Sequence, residues 1–455
     1  MAERKKLHKF EQLEEIRDGA MLTRVLKKYL DAKLDDGLTI SQAALLHVDA
    51  KRGKACKLMI KAKITDGKEI IGEQKYFGGL ITSSKYSPEE YYYSITQRHT
   101  NVVDPAYGPP SMFVREWGLL LWAYPNDPNL PGLGLFENRE TLLARMTERP
   151  EVFGLPTDGY KPVSATVKLT KYVPGMRCGA IVAVEGQKDG ETLRHELFGK
   201  AYSKGGGRDA YKIMRSIWDE NIAQNAGLRV VEPFGFDEEY GVVWQSAVDG
   251  KPPIKSASRL KCLDEIAQKI GESLAAYHAL DMQLPKTMQA AELLEEVEQA
   301  CSAIEKTFPA YADQVESLRK KLLENPPIDF EKTPIHMSFK LSHILEDDNE
   351  MTIIDFDGAR MGDPAYDLGR FNAQILRLKA EKKTSSEMAK KTITRFIQGY
   401  NEKARKPIAP ERIAWSTANH LVASQAFKTV KRKKEKALVG LLALADEALH
   451  ELAGE

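Results

Sequence analysis

Two aspartates, Asp355 and Asp357, follow the short β-branched run at residues 352–354. Such a run, bounded by polar turns, predicts a buried strand. Residues two positions apart in an extended segment point the same way, so the two carboxylates can be presented to one site. Acids at the end of a strand are a common way to hold a hard cation and the phosphate oxygens that it bridges. The spacing therefore indicates chemistry on a phosphate-bearing compound.

Two flanking segments carry further candidate residues: IHMSFKLSHIL begins at Ile335, and GDPAYDL begins at Gly362. Together with the strand between them, they resemble the core of the aminoglycoside phosphotransferase and choline kinase family. The family pattern is H-G-D-x-x-x-x-N-[IV]-L, then I-D-[FW]-[DE], then G-D-P-x-Y-D-L. Its second half is nearly intact here, over residues 354–357 and 362–368. The resemblance implies a bilobal protein-kinase-like fold and an ATP-dependent phosphotransferase.

The first half of the pattern keeps its frame, in His336, Ile344 and Leu345. Three positions that carry chemistry in the family differ. Met337 stands where the family has glycine, Ser338 where it has the catalytic aspartate, and His343 where it has the metal-binding asparagine. A serine hydroxyl is not a useful base near neutral pH, and imidazole suits Zn or Mn better than the Mg that accompanies ATP. We therefore expect slow phosphoryl transfer, with nucleotide binding retained.

The resemblance also assigns a nucleotide site. Lys200, in the run HELFGKAYS, falls on a third strand at the family's phosphate-binding lysine, and Glu220 or Asp219 on the next helix can pair with it. The adenine edge is expected along the backbone of Trp244, Gln245, Ser246 and Ala247. The metal positions are Asp355, His343 and Asp357, and the catalytic positions are Ser338 and His336. ATP and Mg are thus the expected cofactors, in a cleft between two lobes.

The chain has 455 residues, more than one core usually supports, so two or three domains are expected. We predict an α+β protein with an accessory domain at residues 1–150, a strand-rich small lobe at 151–250 and a helical large lobe at 251–455. Helices are expected at residues 7–32, 209–226, 290–321, 386–401, 411–433 and 434–452. Ser258 is predicted to cap a helix, and His278 to be a packing histidine.

A segment near the N-terminus resembles part of the predicted small lobe. AKRGKACKLMIKAKITDGKEIIGEQKYFGG, from Ala50, and YVPGMRCGAIVAVEGQKDGETLRHELFGKAYSK, from Tyr172, share a Gly before a Cys, a strand-like run, an Asp-Gly turn and a second run. This similarity predicts a duplicated hairpin unit, with Lys75 matched to Lys200. Between the copies, Asp127 is interpreted as a turn former beside proline.

Composition excludes several classes of partner. There are 66 Lys and Arg against 65 Asp and Glu, so no overall field attracts nucleic acid or an anionic membrane. The longest apolar run, residues 437–445, is far shorter than the ~20 residues that span a bilayer. The four cysteines have no metal spacing, and the charged N-terminus has no apolar export segment, so a cytoplasmic protein is expected.

Three functions remain open from the sequence. The first is a kinase-like protein that binds ATP but transfers phosphate poorly, and acts as a regulator or scaffold. The second is a working kinase for a small hydroxylated substrate, such as a sugar, an amino alcohol or an antibiotic, in which Asp357 or a substrate group replaces the lost base. The third is an interaction protein that binds a protein partner through its N-terminal domain.

Overall fold

The computed structural model describes residues 12–51, 55–81, 86–97, 101–203, 205–324, 326, 330–432 and 434–450. The chain divides into two compact units. The first comprises Met1–Tyr211 and Phe234–Ala247, and the second comprises Lys212–Pro233 and Val248–Glu455. The first unit holds most of the strands and the second is mainly helical, which confirms the predicted α+β class.

The first unit begins with two helices and a five-stranded antiparallel sheet. Asp18 ends the first helix and caps the second by accepting hydrogen bonds from the backbone N–H groups of Ala20 and Met21. The sheet order is β1-β2-β3-β5-β4. The elements are α1 (Gln12–Arg17), α2 (Gly19–Leu30), β1 (Thr39–Lys51), β2 (Ala55–Thr65), β3 (Ile70–Ile81), α3 (Pro88–Thr96), β4 (Ser111–Val114) and β5 (Leu119–Ala123). Helix α2 buries Leu22, Leu26 and Leu30 against one face of this sheet.

The second part of this unit is another five-stranded antiparallel sheet, of order β6-β7-β8-β10-β9. Its elements are α4 (Pro131–Glu137), α5 (Arg139–Glu148), β6 (Lys161–Val173), β7 (Arg177–Lys188), β8 (Glu191–Tyr202), β9 (Pro233–Asp237) and β10 (Val242–Ser246). Helix α6 (Gly206–Ala223) follows β8, and its residues from Lys212 onwards belong to the second unit. Helices α4 and α5 pack on this sheet, where Phe136 contacts the fully buried Trp244. The core of the second sheet therefore includes residues that precede position 151.

The two sheets have the same order of strands, and a helix follows the third strand in each. Their registers align as well: Cys56 pairs with Leu80 on the neighbouring strand, and Cys178 pairs with Ala201. One step further along the strands, Gly79 pairs with Lys57, and Lys200 pairs with Gly179. Lys200 therefore corresponds to Gly79, and the predicted match to Lys75 is wrong. The error came from aligning on a Lys followed closely by Tyr, which ignores the length of the hairpin.

Helices dominate the second unit. They are α7 (Asp264–His278), α8 (Ala290–Thr307), α9 (Ala312–Glu324), α10 (Ala365–Ala380), α11 (Ser386–Lys403), α12 (Pro410–Asn419), α13 (Phe427–Arg432) and α14 (Glu435–His450), with a π-helical turn at His420–Ala426. Helices α7 and α11 cross so closely that a side chain does not fit at Gly271. A Cβ atom there would lie 2.1 Å from the carbonyl oxygen of Phe396. Four short strands complete the unit: β11 (Thr333–Ile335), β12 (Ile344–Asp347), β13 (Glu350–Ile353) and β14 (Arg360–Gly362).

Several predicted element bounds need correction. The long helix expected over residues 290–321 is two helices, because Pro309 lacks the N–H that would continue the first. Ser258 does not cap a helix: helix α7 begins at Asp264, and the hydroxyl of Ser256 accepts from Arg259 N instead. The predicted start of the first helix, at Leu7, lies outside the described residues. Helix α4 forms although its sequence, PGLGLFE, contains one Pro and two Gly residues, which are typical of a loop.

None of the helices in the described ranges is both long enough and apolar enough to cross a lipid bilayer.

Candidate functional site

The candidate site lies in the second unit, at the ends of β11 and β13. Strand β13 ends at Ile353, Asp355 has a left-handed backbone with φ 71° and ψ 54°, and a short helical turn follows at Phe356–Gly358. The segment is therefore not extended at its aspartates, and the period-two argument for placing Asp355 and Asp357 on one face is wrong. Met337 is also left-handed, with φ 64°. A non-glycine residue in this region is strained, so its surroundings must hold it there.

Asp367, from the GDPAYDL segment, holds the loop that contains His336 and Ser338 by hydrogen bonding. Its side chain is fully buried, and its Oδ2 accepts hydrogen bonds from His336 N at 2.5 Å and from His278 Nε2 at 3.2 Å. Burial raises the pKa of Asp367, but the bond from His278 and the attraction of both histidines outweigh it, so the pKa is lowered overall. His278 also contacts the hydroxyl of Tyr400, which confirms it as a packing histidine.

His336 is fully buried and presents one ring nitrogen to Ser338. Burial lowers the pKa of this imidazole below its ordinary value, which favours the neutral form. Its Nε2 lies 3.0 Å from the carbonyl oxygen of Ile354, which can only accept, so Nε2 carries the hydrogen. Nδ1 is then an acceptor, 3.4 Å from Ser338 N and 3.3 Å from Ser338 Oγ.

His343 lies on the other side of the same hydroxyl. Its Nδ1 is 3.2 Å from Ser338 Oγ, and its Nε2 is 3.1 Å from Asp355 Oδ2. A carboxylate accepts hydrogen bonds, so the tautomer of His343 that donates its Nε2–H to Asp355 leaves Nδ1 able to accept from the Ser338 hydroxyl. The side chain of His343 is 11% exposed and that of Asp355 is 20% exposed. Ser338, half-buried, therefore has an imidazole acceptor that a carboxylate orients.

This order of groups can activate a nucleophile. A hydroxyl within hydrogen-bond reach of a base, which a third group orients, is the general signature of covalent catalysis. Inspection of the sequence identified all three residues as candidates, but it assigned Asp355 and His343 to a metal and left Ser338 without a base. The available signal was the spacing of five residues from Ser338 to His343, on one short loop ahead of the strand that carries Asp355.

The predicted metal ligands Asp355, His343 and Asp357 do not form a complete set of protein ligands by themselves. In the part of the chain that the structure describes, no three His, Cys, Asp or Glu side chains form a group that could hold a metal ion. His343 Nε2 lies 3.1 Å from Asp355 Oδ2, so the imidazole and this carboxylate contact each other. Asp357 follows on the helical turn and is half-buried. Mg takes oxygen ligands, and the carboxylates of Asp355 and Asp357 are the groups here that would hold it together with phosphate oxygens.

The predicted nucleotide residues fall in both units. Lys200 is half-buried in β8, and its Nζ lies 5.0 Å from the centre of the Tyr202 ring. The other residues predicted to contact adenine lie at the end of β10. Strand β10 pairs with β8 as far as Ser246, and Gln245 in this pair is 8% exposed. The backbone N–H of Ala247 donates to the carbonyl oxygen of Glu196. Trp244 is wholly in the core, so only its backbone can take part in binding.

The two acids proposed as partners of Lys200 lie in the second unit, on α6. Asp219 forms an ion pair with Arg215, one turn earlier on the same helix, and Glu220 accepts a hydrogen bond from Gln224. A shared nucleotide site for Lys200, Glu220 and Asp355 stays a prediction.

Comparisons with known proteins agree with the motifs. The sequence model of the Phosphotransferase enzyme family matches residues 210–380. Similar solved structures include a choline/ethanolamine kinase family protein from Mesorhizobium loti, at 16% identity over 66% of this chain and 93% of that chain, with a TM-score of 0.41. Choline kinase from Cryptosporidium parvum Iowa II gives 10% identity over 69% and 96%, with a TM-score of 0.46. The predicted resemblance is confirmed: the model of this family matches residues 210–380, which contain Ser338, His343 and Asp355.

Proposed function

We propose that this protein binds a nucleoside triphosphate but transfers its phosphoryl group poorly to free hydroxyl compounds, and that it acts as a regulator or scaffold. One observation carries the proposal: the position of the family's catalytic aspartate is occupied by Ser338, whose Oγ lies between two imidazole nitrogens. Direct transfer needs a group that accepts the proton of the incoming hydroxyl. The match to the phosphotransferase family over residues 210–380 supports the binding of a nucleotide.

The placement of Ser338 supports weak transfer to a free acceptor. The acceptor nitrogen of His343 already faces the hydroxyl of Ser338 at 3.2 Å, and the buried His336 has its Nδ1 on the same oxygen. A substrate hydroxyl must therefore displace Ser338 before it can reach a base. The carboxylate of Asp355 is engaged with His343 Nε2 on the far side of the ring.

The binding of nucleotide is measured first. Titration with ATP in the presence of Mg²⁺ should raise the melting temperature, because a ligand that binds only the folded state stabilises it. The rate of ATP consumption is then measured alone and with a panel of sugars, amino alcohols and aminoglycosides, and we expect it to stay near the background rate. Fast turnover with any member of this panel would favour a working small-molecule kinase.

The variant Ser338→Asp restores the family's carboxylate at the position in question. We expect it to raise ATP turnover by about 100-fold or more, the usual contribution of a positioned base. Ser342→Asp adds the same charge four residues away and is the matched control, which should leave turnover unchanged. If neither the parent protein nor Ser338→Asp binds ATP, the kinase-like half is a platform and the N-terminal region leads as the functional part.

A further inference from the structure

The contacts of Ser338 suggest more than the loss of a base. We infer that Ser338 is itself the phosphoryl acceptor of this site, activated by His343, so that the protein forms a phosphoserine on its own loop. The inference rests on the proposed function, because the nucleoside triphosphate is the donor. The Ser338 hydroxyl already occupies the position beside His343 Nδ1 that a free acceptor would need, and the inference gives this hydroxyl the role of the acceptor.

Three distances carry the inference. Ser338 Oγ is 3.2 Å from His343 Nδ1, and His343 Nε2 is 3.1 Å from Asp355 Oδ2. Both lie within the range expected for a nucleophile, its base and the group that orients the base. The third contact, 3.3 Å from Oγ to His336 Nδ1, keeps the hydroxyl between two ring nitrogens. The single hydroxyl hydrogen is donated to one of them at a time, and the tautomer that donates Nε2–H to Asp355 makes His343 Nδ1 an acceptor for it.

The backbone fixes the hydroxyl in this position. Ser338 N donates to His336 Nδ1, and His336 N donates to the buried Asp367. The left-handed conformation of Met337, between these two residues, turns the chain so that both side chains meet. Ser338 is half-buried, whereas His336 is fully buried, so the hydroxyl is the accessible member of the pair.

The step balances without any further reactant. The Oγ atom of Ser338 attacks the γ-phosphorus, the bond between that phosphorus and the β,γ-bridging oxygen breaks, and the nucleoside diphosphate leaves with the electron pair of that bond. The hydroxyl proton passes to His343 Nδ1, and the hydrogen bond from Nε2 to Asp355 stabilises the imidazolium. The products are Ser338 phosphate monoester, the nucleoside diphosphate and a proton, which His343 later releases to solvent.

The experiment follows the intact mass of the full-length protein. Phosphatase-treated protein is incubated with ATP and Mg²⁺, and we expect a gain of one phosphoryl group, located at Ser338 by peptide mapping. The Ser338→Ala variant should gain none, and Ser342→Ala, which lacks a hydroxyl on the same loop, should react like the parent protein. The initial rate should not depend on protein concentration when expressed per molecule, because the acceptor belongs to the same chain.

Replacement of His343 tests whether Ser338 is phosphorylated because His343 activates its hydroxyl or only because that hydroxyl is exposed. His343→Asn introduces the residue that the family carries and removes the imidazole, and we expect it to slow phosphorylation of Ser338 by at least about 100-fold. The affinity of each variant for ATP and its melting temperature are measured in parallel. Normal affinity and folding with no phosphoserine, or an unchanged rate in His343→Asn, would overturn the inference alone. Loss of ATP binding in the parent protein would overturn the proposed function and this inference with it.

Discussion

The two five-stranded sheets of the first unit share one topology but differ at the position that would meet a phosphate. In the second sheet this position is Lys200, which pairs with Gly179 on the adjacent strand. In the first sheet it is Gly79, which pairs with Lys57. The lysine and the glycine have thus exchanged strands. The same fold carries a candidate binding residue in one sheet and lacks it in the other.

Packing explains why the first sheet has no side chain at this position. A Cβ atom on Gly79 would lie 2.9 Å from the carbonyl oxygen of Cys56, which is closer than real Cβ atoms come to backbone. The lysine that pairs with Gly79, Lys57, places its Nζ within hydrogen-bond distance of the carbonyl oxygen of Pro174, in the turn between β6 and β7. The comparison teaches that strand order alone does not identify a nucleotide site, because the site depends on single side chains.

The largest expected effect is at the glycines just before these positions. A Cβ atom on Gly78 would lie 1.9 Å from the carbonyl oxygen of Leu120, so Gly78→Ala must push β3 and β5 apart. We expect a loss of about 3 kcal/mol or more in the free energy of unfolding, by urea denaturation. The equivalent Gly199→Ala meets only ring atoms of Phe136 and Trp244, at 2.8 Å, and should cost less. Equal losses would contradict the aligned register.

The next largest effect is expected on ATP binding, which we predict to depend on Lys200 of the second sheet and not on Lys57 of the first. Lys200→Ala should weaken ATP binding by about 10- to 100-fold, because a hydrogen bond to a charged group contributes about 1.5–3 kcal/mol. Lys57→Ala, on the strand next to the equivalent position of the first sheet, is the matched control and should leave the affinity unchanged. Titration calorimetry measures both. Unchanged affinity in Lys200→Ala would remove the nucleotide role assigned to the second sheet.

A smaller effect is expected where the chain passes from one sheet to the other. Asp127 is more than a turn former: it is 1% exposed, and its Oδ2 accepts from Gly175 N at 2.6 Å and from the hydroxyl of Tyr172 at 2.9 Å. The amide oxygen of Asp127→Asn can keep both of these donors only if its NH2 group faces Asn129 N, which donates to Oδ1 in the parent protein. We expect it to lower the free energy of unfolding at pH 7 by about 1 kcal/mol.

The pH dependence of this variant tests the state of the carboxyl. Burial raises the pKa of Asp127 above its ordinary 3.8, against the lowering by its hydrogen bonds and Lys57. A raised pKa contributes stability that is fully present below pH 3.8 and is lost as pH rises through the folded value. The stability of the parent protein relative to Asp127→Asn should therefore increase as pH falls from 7 towards 4. A difference in melting temperature that stays constant over this range would contradict it.

The smallest effect, on ATP affinity in Lys75→Ala, tests the alignment of β3 with β8. Lys75 is exposed in β3, and its pairing with Lys61 corresponds to the pairing of Glu196 with Ala183, so Lys75 aligns with Glu196 and not with Lys200. Lys75→Ala should therefore change ATP affinity by less than about twofold, since an exposed lysine side chain contributes little. A loss as large as that of Lys200→Ala, in the same calorimetric titration, would restore the alignment of Lys75 with Lys200.

The fold was predictable because its motif residues support the backbone. Asp363 accepts from Ala365 N at the start of α10 and pairs with Arg412, and Asp367 holds His336. These contacts follow from the motif whether or not the site is catalytic. The family and the α+β class could therefore be predicted from the GDPAYDL segment, even where the catalytic loop departs from its pattern.

The contact between Ser338 and His343 could not be predicted in the same way. It depends on left-handed backbone at Met337 and Asp355. Methionine does not indicate that conformation, and aspartate, although enriched there, adopts it in a minority of cases. An extended backbone was assumed at Asp355, which placed two carboxylates on one face and gave His343 to a metal. Proximity on a loop is a property of its φ and ψ angles, which composition and spacing do not determine.

The bond from Asp127 to the β6–β7 turn bears on how this protein can be shortened for study. A fragment that starts at residue 151 would leave Tyr172 and Gly175 without their acceptor, and it would strip the apolar side chains of α4 and α5 from the second sheet. Such a truncated product should expose Trp244 and aggregate on expression. The shortest fragment worth cloning therefore begins upstream of Asp127.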